Sequence, residues 1–239
     1  MTERVVIVGG TSGIGLATAQ RMVDAGREVV VTGRDADRLA AALDQLGKSA
    51  SGHALDARDP DTVDALFAEF GTVDHVVVTA TGRPGLTPFL DLTVDDFREG
   101  VETKLLPHAT TARAAHRVLR PGGSLTFVTA ASAGGSMPAT AKPAAVNAAI
   151  EAMVPVLAVE LAPLRVNAVS PGVIDTGWWD FLDARAREAT FAQIAAGLPV
   201  GRIGTAADIA SAIAFLADNT FTTGVVLRVD GGGRLSSAA

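Results

Sequence analysis

Short valine-rich runs alternating with longer alanine-rich periodic segments constrain this chain more than any other feature. Val5-Val6-Ile7-Val8 is followed by Val29-Val30-Val31, Val76-Val77-Val78, Leu125-Thr126-Phe127-Val128 and Val166-Asn167-Ala168-Val169. Runs this continuously apolar suit parallel strands covered by helices on both faces, whereas a half-wet antiparallel sheet would alternate apolar and polar residues. The intervening segments fit helices at about residues 13–26, 35–47, 60–71, 93–119 with a break, 141–162, 178–196 and 205–218, and Val225–Val229 fits a last strand. Gly26 suits a helix C-cap, Asp59-Pro60 and Thr205 suit helix starts, and Arg120-Pro121-Gly122-Gly123 reads as a turn. The expected fold class is α/β: a doubly wound, mainly parallel seven-stranded sheet in a single domain over residues 1–239, since no linker divides it.

Composition narrows the partners. The chain has 239 residues, 48% of them hydrophobic, enough for one sizeable core. Its net charge of −6 with no dense basic run argues against a grip on nucleic acid. Cysteine is absent, which excludes disulfides, thiolate nucleophiles and cysteine-based zinc sites, and no His/Glu spacing suits a metal. No apolar run approaches the roughly 18 residues of a membrane span, and Met1-Thr2-Glu3-Arg4 leads into a strand, so a cytoplasmic chain without membrane partners is expected. Tyrosine is also absent, which excludes a phenolic acid or base anywhere.

The first strand runs into Gly9-Gly10-Thr11-Ser12-Gly13-Ile14-Gly15, which opens a helix. Glycines here allow a tight turn, close backbone approach to a pyrophosphate and close helix–strand packing, while the helix N-terminus offers unpaired N–H groups to the anion. This strand–glycine–helix unit makes the expected sheet Rossmann-like. The second strand ends Thr32-Gly33-Arg34-Asp35, where an adenine ribose would be read. Gly33 cannot accept from a free 2′-hydroxyl and Arg34 suits a 2′-phosphate, so NADP(H) is preferred over NAD(H).

These residues resemble the short-chain dehydrogenase/reductase family from Arg4 to about Gly232. Gly13-Ile14-Gly15, Asp56-Ala57, the stretch Leu164 to Thr176, Gly201-Arg202-Ile203-Gly204, Asp208-Ile209-Ala210, Phe215-Leu216-Ala217 and Val229-Asp230-Gly231-Gly232 carry the resemblance. It implies that Asp56 and Ala57 contact adenine, that Ala80 and Gly82 line the ribose side, and that the segment from Pro171 through Gly172 and Ile174 to Thr176 wraps the nicotinamide amide. Family members pair two long helices, here about 101–119 and 141–162, into a four-helix interface, so a homotetramer or homodimer is implied.

The departure lies in the chemistry. Family members use an Asn-Ser-Tyr-Lys constellation, with Lys one helical turn beyond Tyr so that its charge lowers the phenol pKa. Here Pro143 stands at the Tyr position and Asn147 at the Lys position, while Lys104 stands at the Asn position and only Ser132 is retained. Asn147 can still hydrogen-bond a ribose hydroxyl but brings no charge. The reciprocal exchange suggests that Lys104 and Asn147 face each other beside the nicotinamide ribose, with Ser132 across the substrate space. Lys104, His108, Lys142 or a water on Ser132 are the candidate proton donors.

Residues 175–204 break the strand–helix rhythm and concentrate Trp178, Trp179, Phe181 and Phe191, which suggests a substrate lid. Residues 83–97 and 175–200 should shape the space for a small-molecule substrate. The reading is an NADP(H)-dependent oxidoreductase acting on a carbonyl or alcohol with a non-standard proton path. The alternative is a catalytically silent NADP(H)-binding sensor or regulatory protein.

Overall fold

A computed structural model describes residues 2–82 and 86–235. Seven parallel strands form one sheet in the order β3-β2-β1-β4-β5-β6-β9: β1 Arg4–Val8, β2 Glu28–Gly33, β3 Ala50–Ala54, β4 Val73–Val78, β5 Leu119–Val128, β6 Arg165–Pro171 and β9 Val226–Val229. A separate two-strand ladder joins β7 Ile174–Asp175 to β8 Gly204–Thr205. The order reverses direction at β1, whose neighbours are β2 and β4, and ligands of open α/β sheets bind outside the carboxyl ends at such a point.

Helices cover both faces: α1 Gly13–Asp24, α2 Ala36–Leu46, α3 Pro60–Glu69, α4 Val94–Gly100, α5 Leu106–Val118, α6 Ala141–Glu160, α7 Ala184–Gly197 and α8 Ala206–Asp218. Two apolar cores follow. Strand residues such as Val6, Val76 and Phe127 pack under α3, α5 and α6 with Phe67, Ala115 and Ile150. Their neighbours Val5, Ile7 and Val169 point the other way, onto α1 and α8 with Met22, Ile209 and Ile213. The alternation of faces along a strand explains why both faces had to be apolar.

Local chemistry sets most boundaries. Gly26, at φ 78°, follows the last turn of α1. Asp59 caps α3 with Pro60 in its first turn, and Thr205 with Asp208 forms a reciprocal cap on α8. Three details differ from the sequence reading. Arg120-Pro121-Gly122-Gly123 is absorbed into β5 as an irregularity between the Val73–Leu119 and His75–Ser124 pairings, because Gly122 takes φ 80° and the looped residues 120–122 stay exposed. The break within 93–119 is a π turn at Val101–Leu105 that keeps the helix continuous. The helix expected at 178–196 begins only at Ala184, where the Asp183 side chain caps it, after a 3₁₀ turn at Gly177–Trp179.

By length and composition alone α6 is long and apolar enough to cross a membrane, with mean hydropathy 1.3, although Lys142 and Glu151 interrupt its apolar run. Its inner face, Val146, Ile150 and Val154, belongs to the domain core, while Val156 and Val159 are exposed.

Candidate active site

One cleft of about 1590 Å³ opens along the carboxyl ends of β1, β4, β5 and β6. Its nucleotide end is built from backbone. Gly9 has φ 90°, and a Cβ on Gly15 would stand 2.1 Å from the Gly9 carbonyl oxygen, so the turn closes only with glycine at Gly15. Gly13, at φ 51°, presents its bare Cα toward Thr176 across the cleft, with 3.5 Å from an added Cβ to that side chain. Thr11, Ser12 and Ile14 complete the lining of this turn.

Ser12 at the start of α1 makes no side-chain cap, whereas Asp35, Asp59, Thr93, Asp183 and Thr205 each cap their helices. The first-turn N–H groups of α1 therefore face the cleft without a side-chain acceptor. A glycine cradle and an uncapped helix start fit the diphosphate of a dinucleotide.

At the end of β2, exposed Arg34 lines the cleft beside Gly33. A Cβ on Gly33 would stand 2.5 Å from Thr11 Cγ2, so an acid at this position would require the Thr11 side chain to move aside. Asp56 and Ala57 line the same end. Asp56 is not free: Arg58 grips it through Nε at 2.9 and 3.0 Å and through Nη2. The Arg58 hydrogen bonds, with Arg34 adding to them, hold the Asp56 carboxyl below its ordinary range. Arg58 itself lines the cleft and escaped the sequence reading, although its place two residues past Asp56 was the available signal.

The middle of the cleft is set by close packing. A Cβ on Gly82 would meet Thr103 Oγ1 at 2.5 Å, and one on Gly172 would meet Asp230 Cα at 2.7 Å, so Gly82 beds Ala80 against the π turn and Gly172 beds Pro171 against the end of β9. Ile174 is buried and Thr176 faces Gly13, and all six line the cleft. Residues 176–180 and Gln193, Ile194 and Leu198 cover the other side, where Trp178 meets Trp179 and Phe181 edge to face, Trp179 and Phe181 stack at 5.8 Å, and Phe191 meets Trp179 edge to face at 5.5 Å. Of the substrate-shaping segments, residues 83–85 lie outside the described residues.

The chemical end brings Ser132, Asn147, Lys104 and Pro143 to one wall. Pro143 sits in the first turn of α6 with no ionisable group, behind a Thr140 whose hydroxyl donates to the Met137 carbonyl at 2.7 Å instead of capping the helix. Asn147, 2% exposed, donates through Nδ2 to Ser132 Oγ at 3.3 Å and to the Pro143 carbonyl at 2.8 Å, while its buried Oδ1 has no partner within the protein. That orphaned acceptor beside Ser132 fits a ligand hydroxyl.

Lys104, on the π turn, donates to the Thr129 carbonyl at 3.5 Å and makes no hydrogen bond to Asn147. Burial pushes its ammonium down to about 8, with Glu151 on α6 pulling the other way. Glu151 was missed in the sequence. It lies four residues past Asn147, on the same helix face, and accepts at one oxygen from both Thr129 Oγ1 and Ser170 Oγ at 2.8 Å.

Two other donor candidates fall away. His108 is fully buried against Phe127, its Nδ1–H donates to the Lys104 carbonyl at 2.8 Å, and burial holds it neutral down to about 3. Lys142 is engaged by Glu99 at 3.3 Å. Among the described residues no cluster of His, Asp or Glu suits a metal ion.

The comparisons with known proteins agree with this geometry. A family profile described as enoyl-(acyl carrier protein) reductase matches residues 8–233. A cis-4-hydroxycyclohexanecarboxylate dehydrogenase of Sinomonas cyclohexanicum is 36% identical over 96% of both chains. A small-chain dehydrogenase solved with NADPH superposes with a TM-score of 0.82 at 33% identity, covering 98% of this chain and 100% of the other. An apo short-chain oxidoreductase of Pseudomonas aeruginosa PAO1 containing an atypical catalytic center superposes with a TM-score of 0.89 at 30% identity, covering 99% of this chain and 98% of the other. The chain belongs to the short-chain dehydrogenase/reductase family of oxidoreductases, and its cleft fits a nicotinamide dinucleotide.

Proposed function

We propose that this protein is an NADP(H)-dependent oxidoreductase that interconverts a small-molecule carbonyl and alcohol without the tyrosine-centred proton path. The observation that carries this reading is one continuous cleft joining the glycine turn at Gly9–Gly15 to the wall formed by Ser132, Asn147 and Lys104. The nicotinamide ring supplies or accepts the hydride when bound. The chain does the rest. The α1 N-terminus and glycine turn bind the diphosphate. Arg34 and the absent side chain at Gly33 favour a 2′-phosphate over a free 2′-hydroxyl.

Asp56 and Ala57 border the adenine, Ala80 and Gly82 the ribose, and Pro171, Gly172, Ile174 and Thr176 the carboxamide. Asn147 offers its orphaned Oδ1 to a ribose hydroxyl and steadies Ser132, whose hydroxyl orients the substrate oxygen. Lys104, its ammonium lowered to about 8 by burial, is the titrating side chain on this wall. The aromatic group at 178–191 acts as a lid that excludes water.

The exposed apolar residues Val156 and Val159 on α6 suit a subunit face, so we assign the protein as a homotetramer or homodimer, and we place it in the cytoplasm. NADPH and NADH titrations followed by cofactor consumption against a panel of aldehydes and ketones test the reading. NADPH binding with slow, substrate-dependent consumption is expected. Tight binding with no turnover on any carbonyl would instead favour a sensor, and equal affinity for NADH would remove the 2′-phosphate argument.

A further inference from the structure

Lys104 and Glu151 are brought together by a residue between them. Thr129, 4% exposed at the carboxyl end of β5, accepts from Lys104 Nζ at its backbone oxygen and donates from its hydroxyl to Glu151 Oε1 at 2.8 Å. Ser170, fully buried on β6, donates to the same carboxylate oxygen at 2.8 Å. One oxygen of Glu151 is thus pinned by two hydroxyls from two strands, which sets the rotamer of the side chain, and no ion pair within salt-bridge distance claims the other among the described residues. Glu151 is half-buried, and its charge favours the protonated form of Lys104, the cation linked to it through Thr129.

We propose that Glu151 is the positioning residue of Lys104, and that the two form the proton-handling pair of this cleft. The proposal rests on the oxidoreductase reading and deepens it. In the reducing direction Lys104 Nζ gives one proton to the oxygen that becomes the alcohol, while the carbonyl carbon takes the hydride from the reduced cofactor. An N–H bond breaks, an O–H bond forms, and the neutral amine left behind is reprotonated by water. In the oxidising direction the neutral amine accepts the alcohol proton. Glu151 does not touch substrate. It is linked to Nζ through Thr129 and favours its charged form, against the burial that lowers it.

The groups around Lys104 make the titration legible. His108, one turn along α5, is held neutral throughout the relevant range by burial. Lys142 and Glu99, from α6 and α4, neutralise each other. The β5 end and β6 contribute no charged group here, only the carbonyl and hydroxyl of Thr129 and the hydroxyl of Ser170. Glu151 is therefore the charge whose removal should move the Lys104 titration.

The test is pH-dependent trace acetylation of the intact protein, with modification of the Lys104 peptide followed by mass spectrometry, a readout that needs neither cofactor nor turnover. In the unaltered protein the half-point should lie near 8; a half-point at the ordinary lysine value overturns the proposal without any variant. In Glu151→Gln the half-point should move down, since removing a nearby opposite charge disfavours the ammonium. Glu151→Asp should restore part of the shift. An unmoved half-point in a folded Glu151→Gln protein shows a merely structural carboxylate and overturns the proposal.

The reductase pH profile is the second arm, with the high-pH fall in kcat/KM moving down in Glu151→Gln by the same interval. A moving labelling half-point with a stationary reductase profile overturns the proton-handling role. A protein that labels as expected but reduces no carbonyl overturns the oxidoreductase reading and the catalytic part of this proposal together, leaving only the charge coupling of the two side chains.

Discussion

The two ends of the cleft use different parts of the chain. The nucleotide end is made by backbone: a turn that an added carbon at Gly15 would block, an uncapped helix start, and a strand end without a side chain at Gly33. The chemical end is made by side chains: a serine held by an asparagine, a lysine on a π turn and a glutamate on the next helix. Backbone geometry admits few substitutes. Side-chain chemistry can be redistributed over neighbouring elements, provided the charge is still countered and the buried polar atoms still find partners. On the proposed function, Pro143 at the tyrosine position, with Lys104 and Asn147 at the positions of the family's Asn and Lys, is such a redistribution.

The comparison breaks most visibly at Lys104. Lys104→Ala should lower turnover by roughly 10²–10⁴-fold, the usual contribution of a positioned acid or base, while changing the NADPH dissociation constant much less. Steady-state kinetics beside a fluorescence titration separates the two; an equal loss in both would make Lys104 part of nucleotide binding. Gly15→Ala should do the opposite. Forcing a Cβ against the Gly9 carbonyl should cost about 2–3 kcal/mol, roughly 100-fold in NADPH affinity or an equivalent fall in melting temperature. Unchanged binding and melting would show that the turn can yield.

A smaller effect is expected at Arg34. Arg34→Ala should narrow the preference for NADPH over NADH by about tenfold or more, because a charge-assisted contact worth about 1.5–3 kcal/mol exists only with the 2′-phosphate. Paired titrations of both cofactors check this. Restoring the family pair with Pro143→Tyr and Asn147→Lys should yield little gain in turnover, since a second ammonium would face Lys104 and like charges oppose each other's protonation. A large gain in kcat would show that Lys104 is a bystander.

The smallest effect concerns His108, which belongs to neither chemistry. Its folded value is depressed to about 3 against an unfolded value near 6.5, so the unfolded chain takes up the extra proton as pH falls below 6.5. Stability is full above that value and falls progressively toward pH 3, by about 0.7 kcal/mol between pH 7 and pH 6. Urea midpoints at the two pH values should differ accordingly, and His108→Leu should flatten the difference; a difference unaltered by the substitution would assign it to other groups.

The amino-acid sequence alone determined the strand–helix alternation, the parallel sheet buried on both faces and the glycine turn, because each depends on period, on apolar continuity or on residues with special backbone freedom. The absence of tyrosine and the identities of Pro143, Asn147 and Lys104 were equally plain. Tertiary structure alone decided what those side chains meet. Asn147 binds Ser132, Lys142 is claimed by Glu99, and His108 lies in the core. It also turned the apparent break at 101–105 into a π turn and folded Arg120–Gly123 into β5. The pairing of Lys104 with Glu151 joins residues 47 positions apart through Thr129, from a third element. No local pattern encodes such a contact, since it exists only once β5, β6, the π turn and α6 have packed together.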